Sequence, residues 1–313
     1  MNLGKAFKAS SVSFKKNIAK ILMFSLSWSI LLSAIYILFD LYLGIGLVLS
    51  LFFVLPSLSS IQIIAMKCVA DSYIESKDFY IGFKAYGPSL YLQLRTFIKG
   101  SLFALLGFFA GLFICSFLIT FKAMAEFPEY FVNIDPSTFY QSLGSIPWMS
   151  TYLNYASYVS FFIALVFFVL FGTKNNFSPF ICYTTQLNAN YAVELSKSYV
   201  SAHKGYFYKV GFSLLGILIP LLAFPIALNQ VLALTSLGSI VSYIISFFIA
   251  TFLIALYLFY YFIFYFQVYH HYFEFSTLIA VKKLQEKMSQ RAASFAPKDD
   301  TTNEEDKSSD SKE

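Results

Sequence analysis

The chain of 313 residues is 58% hydrophobic and only 12% charged, with a mean hydropathy of +0.66 and a formal net charge of +5. A soluble domain carries roughly 25% charged residues, so these proportions exclude an ordinary water-soluble globule, which would have too little charge to cover it. The apolar residues also gather into blocks long enough to cross a hydrocarbon core of about 30 Å, which takes roughly 20 helical residues.

Residues 1–20 form a basic amphipathic segment, with Leu3, Phe7, Phe14 and Ile18 at helical spacing and Lys15 and Lys16 beside them. The first apolar block, 21–39, is longer than a signal-peptide core and lacks a small-residue exit, so it reads as a retained span. The second, 41–66, is interrupted by Pro56 and followed by Ser57, Ser59, Ser60 and Gln62. Its inner half is expected to kink or leave the bilayer early. A second amphipathic stretch carries Phe79, Phe83, Leu90 and Leu94, with Lys84 among them, and leads into a third span over 101–121. An outer loop near 123–151 holds Glu126, Glu129, Asp135 and Trp148.

The fourth span covers 152–171, with an extension through Phe177, Pro179 and Ile181. A third amphipathic stretch, with Ala192, Leu195, Tyr199 and Ala202, precedes a fifth span over 210–228 that Pro220 and Pro225 are expected to bend. After a sixth span at 240–268, a basic helix over 273–297 carries Lys282, Lys283 and Lys287. The tail, 298–313, has seven acidic and three basic residues and no apolar side chain beyond its threonines, a composition of disorder. The expected fold is therefore all-α: a polytopic membrane bundle of six transmembrane helices, with 21–272 as the transmembrane domain and amphipathic helices at its cytoplasmic face.

Lysine and arginine fix the expected orientation, because short basic loops stay on the cytoplasmic side. Lys5 to Lys20, Lys67 to Lys99, Lys174 to Lys209 and Lys282 to Arg291 mark four inside segments, whereas the opposite connections hold only Asp40, then Lys122 with three carboxylates, then an uncharged stretch. Both termini are thus expected in the cytoplasm. Two readings of the amphipathic stretches stay open. They either lie in the inner leaflet, with Lys15, Lys16, Lys84, Lys204, Lys282, Lys283 and Lys287 on anionic lipid, or pack beneath the bundle.

The inside segments resemble one another. AFKASSVSFKKNIAKILMFSL from Ala6 and AVELSKSYVSAHKGYFYKVGFSL from Ala192 share A-x-x-x-S, a basic centre and a lysine before FSL, and FFVL recurs at Phe52 and Phe167. An internal repeat of this kind also occurs in transporters. The stretch LFFVLPSLSSIQIIAMKCVADSYIESKDFYIGFKAYGPSLYLQLRTFIKG resembles the first half of YesL-like and YciC-like bacterial membrane proteins, and FSPFICYTTQLNANYAVELSKSYVSAHKGYFYKVGFSLLG their second half. That broad group includes the membrane domain of some glycerophosphodiester phosphodiesterases. The two stretches together hold 90 of the 313 residues, and the resemblance implies a six-helix architecture in a bacterial cytoplasmic membrane. It supplies no catalytic residues.

Chemistry is sparse. No Asp, Glu, Lys, Arg or His falls at the centre of a span, where ionisable groups cost about 2.5–3.5 kcal/mol and are kept only for use. His270 and His271 are adjacent and do not share a helix face, and Cys68, Cys115 and Cys182 are scattered without C-x-x-C spacing. Ser201 to Lys204 matches S-x-x-K without its companion motifs. No cofactor, metal or nucleic acid is implied. Packing features are plainer: Gly107 and Gly111 form G-x-x-x-G, and Ser25, Ser29 and Ser33 recur every four residues, so both offer close-approach faces. Tyr257, Tyr261, Tyr265 and Tyr269 form a stripe that either lines a groove or packs in the core. The expectation is a non-enzymatic scaffold or accessory factor that meets a protein partner through the outer loop or acidic tail. A permease or lipid-handling transporter is the alternative.

Overall fold

The computed structural model describes residues 3–40, 45–84, 86–128, 146–185, 187–233 and 239–295. Among them the chain is all-α. Its elements are α1 (Leu3–Lys16), α2 (Ile18–Asp40), α3 (Ile45–Val69), a 3-10 turn (Ser76–Tyr80), α4 (Ile81–Lys84), α5 (Tyr86–Glu126), α6 (Met149–Asn175), α7 (Ser178–Thr185), α8 (Ala189–Ala202), α9 (Lys204–Ala233), α10 (Ser239–Tyr272) and α11 (Glu274–Phe295). Six of these, α2, α3, α5, α6, α9 and α10, hold stretches long and apolar enough to cross a membrane. Much of the outer loop, including Glu129 and Asp135, and the acidic tail lie outside the described residues.

Helix α10 is the hub. It packs against α1, α2, α3 and α9, and its Phe259, Ile263, Phe264, Tyr265, Val268 and Tyr269 are fully buried. Aromatic contacts fix the neighbours: Phe24 of α2 meets Phe259 edge-on at 5.1 Å, and Phe7 of α1 lies 4.6 Å from Phe264. Phe177, just before α7, meets Tyr265 at 5.7 Å. Each such pair adds about 0.5–1.5 kcal/mol beyond the area it buries. That term counts in lipid, where tails are as apolar as leucine and packing rather than water exclusion joins helices.

Helices α5 and α6 form a long antiparallel hairpin set to one side. Its glycines allow the close approach: a Cβ on Gly111 would sit 2.8 Å from the Ser160 Cα, and one on Gly107 would sit 2.9 Å from the Phe167 ring. The hairpin meets the remainder through α3 on one side and α8 and α9 on the other. On α5 exposed Leu102, Phe109, Phe113 and Phe117 cover the open face, as lipid-facing residues do. From Lys99 to Lys122 the helix rises about 34 Å, one hydrocarbon thickness plus margin.

One expectation needs correction. Residues 86–99 do not form a separate amphipathic helix before the third span, because α5 runs unbroken from Tyr86 to Glu126. Pro88 falls in its first turn, where a missing N–H costs nothing. By contrast α1 and α2 part at Asn17, and α8 and α9 part at His203, whose backbone leaves helical angles. The serines after Pro56 remain in α3 and are buried, with Ser57, Ser59, Ser60 and Gln62 all turned into the bundle.

Candidate functional site

The lysine-rich end of the bundle is built as a collar of short segments around α10, and the aromatic members of each apolar stripe turn inward while Ile18, Leu94 and Ala202 stay exposed. Phe14 meets Tyr260 at 5.8 Å, Phe79 meets Phe24 at 5.0 Å, Phe83 meets Phe53 at 5.6 Å, and Tyr199 stacks on Phe273 at 4.6 Å. Ala192 is fully buried and Leu195 packs against the core. The aromatic residues of α1 and α8 are therefore used for packing beneath the bundle.

Polar ties lock the collar. Two residues beyond the end of α3, Asp71 takes the left-handed conformation (φ 53°) that a short polar side chain tolerates. The Ser72 N–H reaches back to the Lys67 carbonyl at 3.0 Å, closing the helix as a C-terminal cap does. Lys20 Nζ donates to the Ile74 carbonyl at 2.8 Å and lies 3.9 Å above the Tyr73 ring, and Lys16 pairs with Asp71 at 2.8 Å. Lys67 Nζ donates to both oxygens of the buried Asp78 at 2.7 Å, and the Glu75 N–H donates to the same carboxylate at 2.8 Å. The Gly82 N–H donates to Ser60 Oγ at 3.0 Å, and Gln93 Nε2 donates to Gln62 Oε1 at 2.7 Å. Ser196 Oγ donates to the Lys174 carbonyl at 2.9 Å, tying α8 to the end of α6.

What faces outward is charge and tyrosine. Lys15, Lys16, Lys84, Lys204, Lys282, Lys283 and Lys287 are all exposed. Tyr73, Tyr80 and Tyr91, between the second and third spans, and Tyr191, between the fourth and fifth, are each more than half exposed. Tyrosine and lysine together are what a headgroup layer accepts. These tyrosines were not singled out in the sequence because they do not repeat at helical spacing; only their shared end of the bundle unites them. The opposite end has its own aromatic group, where the Trp148 Nε1–H donates to Glu126 at 2.9 Å and Lys122 stands 5.1 Å over the Trp148 ring.

The packing residues lie between helices. Ser25, Ser29 and Ser33 are buried on α2, which packs on α3 and α10, and Ser29 Oγ donates to the Ser25 carbonyl at 2.7 Å. In the tyrosine stripe, Tyr265 and Tyr269 are fully buried, Tyr257 and Tyr261 are half-buried, and Tyr269 shares a 3.0 Å hydrogen bond with Thr184. The stripe is thus packed into the core along its inner half instead of lining a groove. At the junction of α6, α9 and α10 a polar cluster is buried, in which the Tyr265 hydroxyl faces Asn176, Thr173 and Tyr261, with Tyr206 nearby.

A shallow groove of about 310 Å³ lies between α8 and α11, walled by Leu187, Tyr191, Leu195, Val281 and Leu284. His270 is paired with Glu274 one turn on, and among the described residues no group of three or more His, Cys, Asp or Glu is placed to hold a metal ion. Cys68, Cys115 and Cys182 are free thiols. Compared with protein-family models, curated proteins and solved structures, the chain matches none.

Proposed function

We propose that this protein is a non-enzymatic scaffold or accessory factor of the bacterial cytoplasmic membrane, with its collar and both termini on the cytoplasmic side. The observation that carries this reading is the collar itself. Three amphipathic segments use their apolar faces on the bundle and are then pinned by ion pairs and hydrogen bonds such as Lys67–Asp78 and Gly82–Ser60. The result is a fixed basic and tyrosine-rich surface, which suits holding a partner at the membrane better than turning over a substrate. The resemblance of residues 51–100 and 177–216 to the YesL-like and YciC-like proteins supports the same placement.

The test is recovery of a stable partner by mild-detergent purification at native expression, comparing the wild type with Lys15→Gln/Lys16→Gln/Lys84→Gln. A partner that remains with the wild type and is lost with the variant supports the reading, and repeated recovery of the chain alone counts against it. A second reading, a permease or lipid-handling transporter, draws on the polar cluster of Tyr265, Asn176 and Tyr206 buried among the spanning helices. Uptake and lipid-flip assays in reconstituted vesicles decide between the two.

A further inference from the structure

Outside the six membrane-spanning helices, exposed Phe, Leu or Ile side chains among the described residues occur on one helix only. That helix is α11, where Phe275 is 77% exposed, Leu278 51% and Ile279 43%. Its opposite face is committed: Thr277 and Val281 are buried, and Thr277 Oγ1 lies 2.8 Å from the Tyr199 hydroxyl of α8. The exposed apolar residues therefore belong to a helix held in a fixed orientation. One turn further on they give way to Lys282, Lys283 and Lys287, all exposed, with Glu286 among them. α11 begins one residue after the last spanning helix ends, separated from it only by Phe273.

We propose that α11 is an anionic-lipid-binding arm whose outward face seats on the phospholipid surface beside the bundle. Phe275, Leu278 and Ile279 enter the boundary between headgroups and acyl chains, and Lys282, Lys283 and Lys287 meet the phosphates. Three features favour lipid over a protein as occupant. The apolar turns lie nearest the membrane-spanning helix and the lysines farthest from it, which is the order in which a bilayer presents hydrocarbon and phosphate. The cluster carries three cations against one carboxylate, complementary to an anionic leaflet. The neighbouring Tyr191 and Tyr272 are exposed too, as interfacial tyrosines are. The carboxylates facing this region from other positions are Glu274, which is paired with His270, and Glu194 across the groove on α8.

The test is amide hydrogen exchange on the full chain in nanodiscs of phosphatidylcholine alone and with about one third phosphatidylglycerol. Exchange over 275–287 is expected to slow about ten-fold in the anionic discs. The Lys282→Gln/Lys283→Gln/Lys287→Gln variant should lose that difference, and Phe275→Ser should lose most of it, while exchange in α8 and α10 stays as in the wild type. Equal exchange in the two lipid compositions overturns the proposal, as does full protection already present in detergent without lipid, which would assign the face to a protein contact. If either variant misfolds, the wild-type comparison between the two disc compositions still decides. The result does not depend on whether a scaffolded partner is found.

Discussion

Asp78 is a carboxylate with almost no exposed surface, and burial alone would push its pKa up. The hydrogen bonds from Lys67 and from the Glu75 N–H, with the charges of Lys67 and Lys77, outweigh burial and hold it below the usual carboxylate value. A folded pKa below the unfolded value of about 3.9 means that the stabilisation is complete above that pH and is lost as pH falls through the folded value. Thermal unfolding in detergent should show a midpoint that drops below about pH 4. Asp78→Asn should flatten that drop and lower stability at neutral pH by about 3 kcal/mol, the low end for breaking a buried pair, because Lys67 keeps some access to water. An unchanged pH profile in the variant would remove the carboxylate from this role. Gly82 gives a second residue-scale contrast. A Cβ there would lie 2.0 Å from the Pro56 carbonyl oxygen, a backbone atom that cannot step aside, whereas a Cβ on Gly216 in α9 meets nothing within 4 Å. Gly82→Ala is expected to cost about 3 kcal/mol by overpacking, and Gly216→Ala to gain about 0.5–1 kcal/mol from helix propensity. The two unfolding midpoints should therefore move in opposite directions.

At the scale of elements, the α5–α6 hairpin is governed by what its glycines touch. A Cβ on Gly111 meets the backbone of Ser160, but one on Gly107 meets the ring of Phe167, which can swing. Gly111→Ala should therefore destabilise by about 1–3 kcal/mol and Gly107→Ala by clearly less, read by unfolding of each variant in the same detergent. The six apolar blocks were legible in the sequence because hydrophobic runs are local signals. The close-approach character of Gly107 and Gly111 was legible for the same reason, since G-x-x-x-G keeps both on one face. The collar's internal wiring was not. Lys67 meets Asp78 across a turn, Gln93 meets Gln62 across a span boundary, and Gly82 meets Pro56 through the chain's return. No periodic pattern reports such pairings. Nor did the pattern say which way the amphipathic faces point. Phe7 on α1 and Phe275 on α11 look alike in sequence, yet Phe7 packs on Phe264 and Phe275 is exposed.

Taken whole, the molecule is polarised. Exposed lysines from α1, α4, α8, α9 and α11 stand at one end, and Lys122 with Glu126, Trp148 and Tyr152 stands at the other. The rule that keeps short basic segments on the cytoplasmic side predicts the direction of insertion from this polarity. Single cysteine substitutions can read it. Ser150, exposed at the start of α6, belongs to the end with Lys122, and Ser201, exposed near the end of α8, belongs to the collar. An impermeant maleimide applied to intact cells should label Ser150→Cys and leave Ser201→Cys unlabelled until the membrane is opened. The three native thiols, one buried and two half-buried, set a low background in the wild type. Labelling of Ser201→Cys in intact cells would invert the orientation, and would place the collar, α11 and every surface argued from them on the far side of the membrane from a cytoplasmic partner.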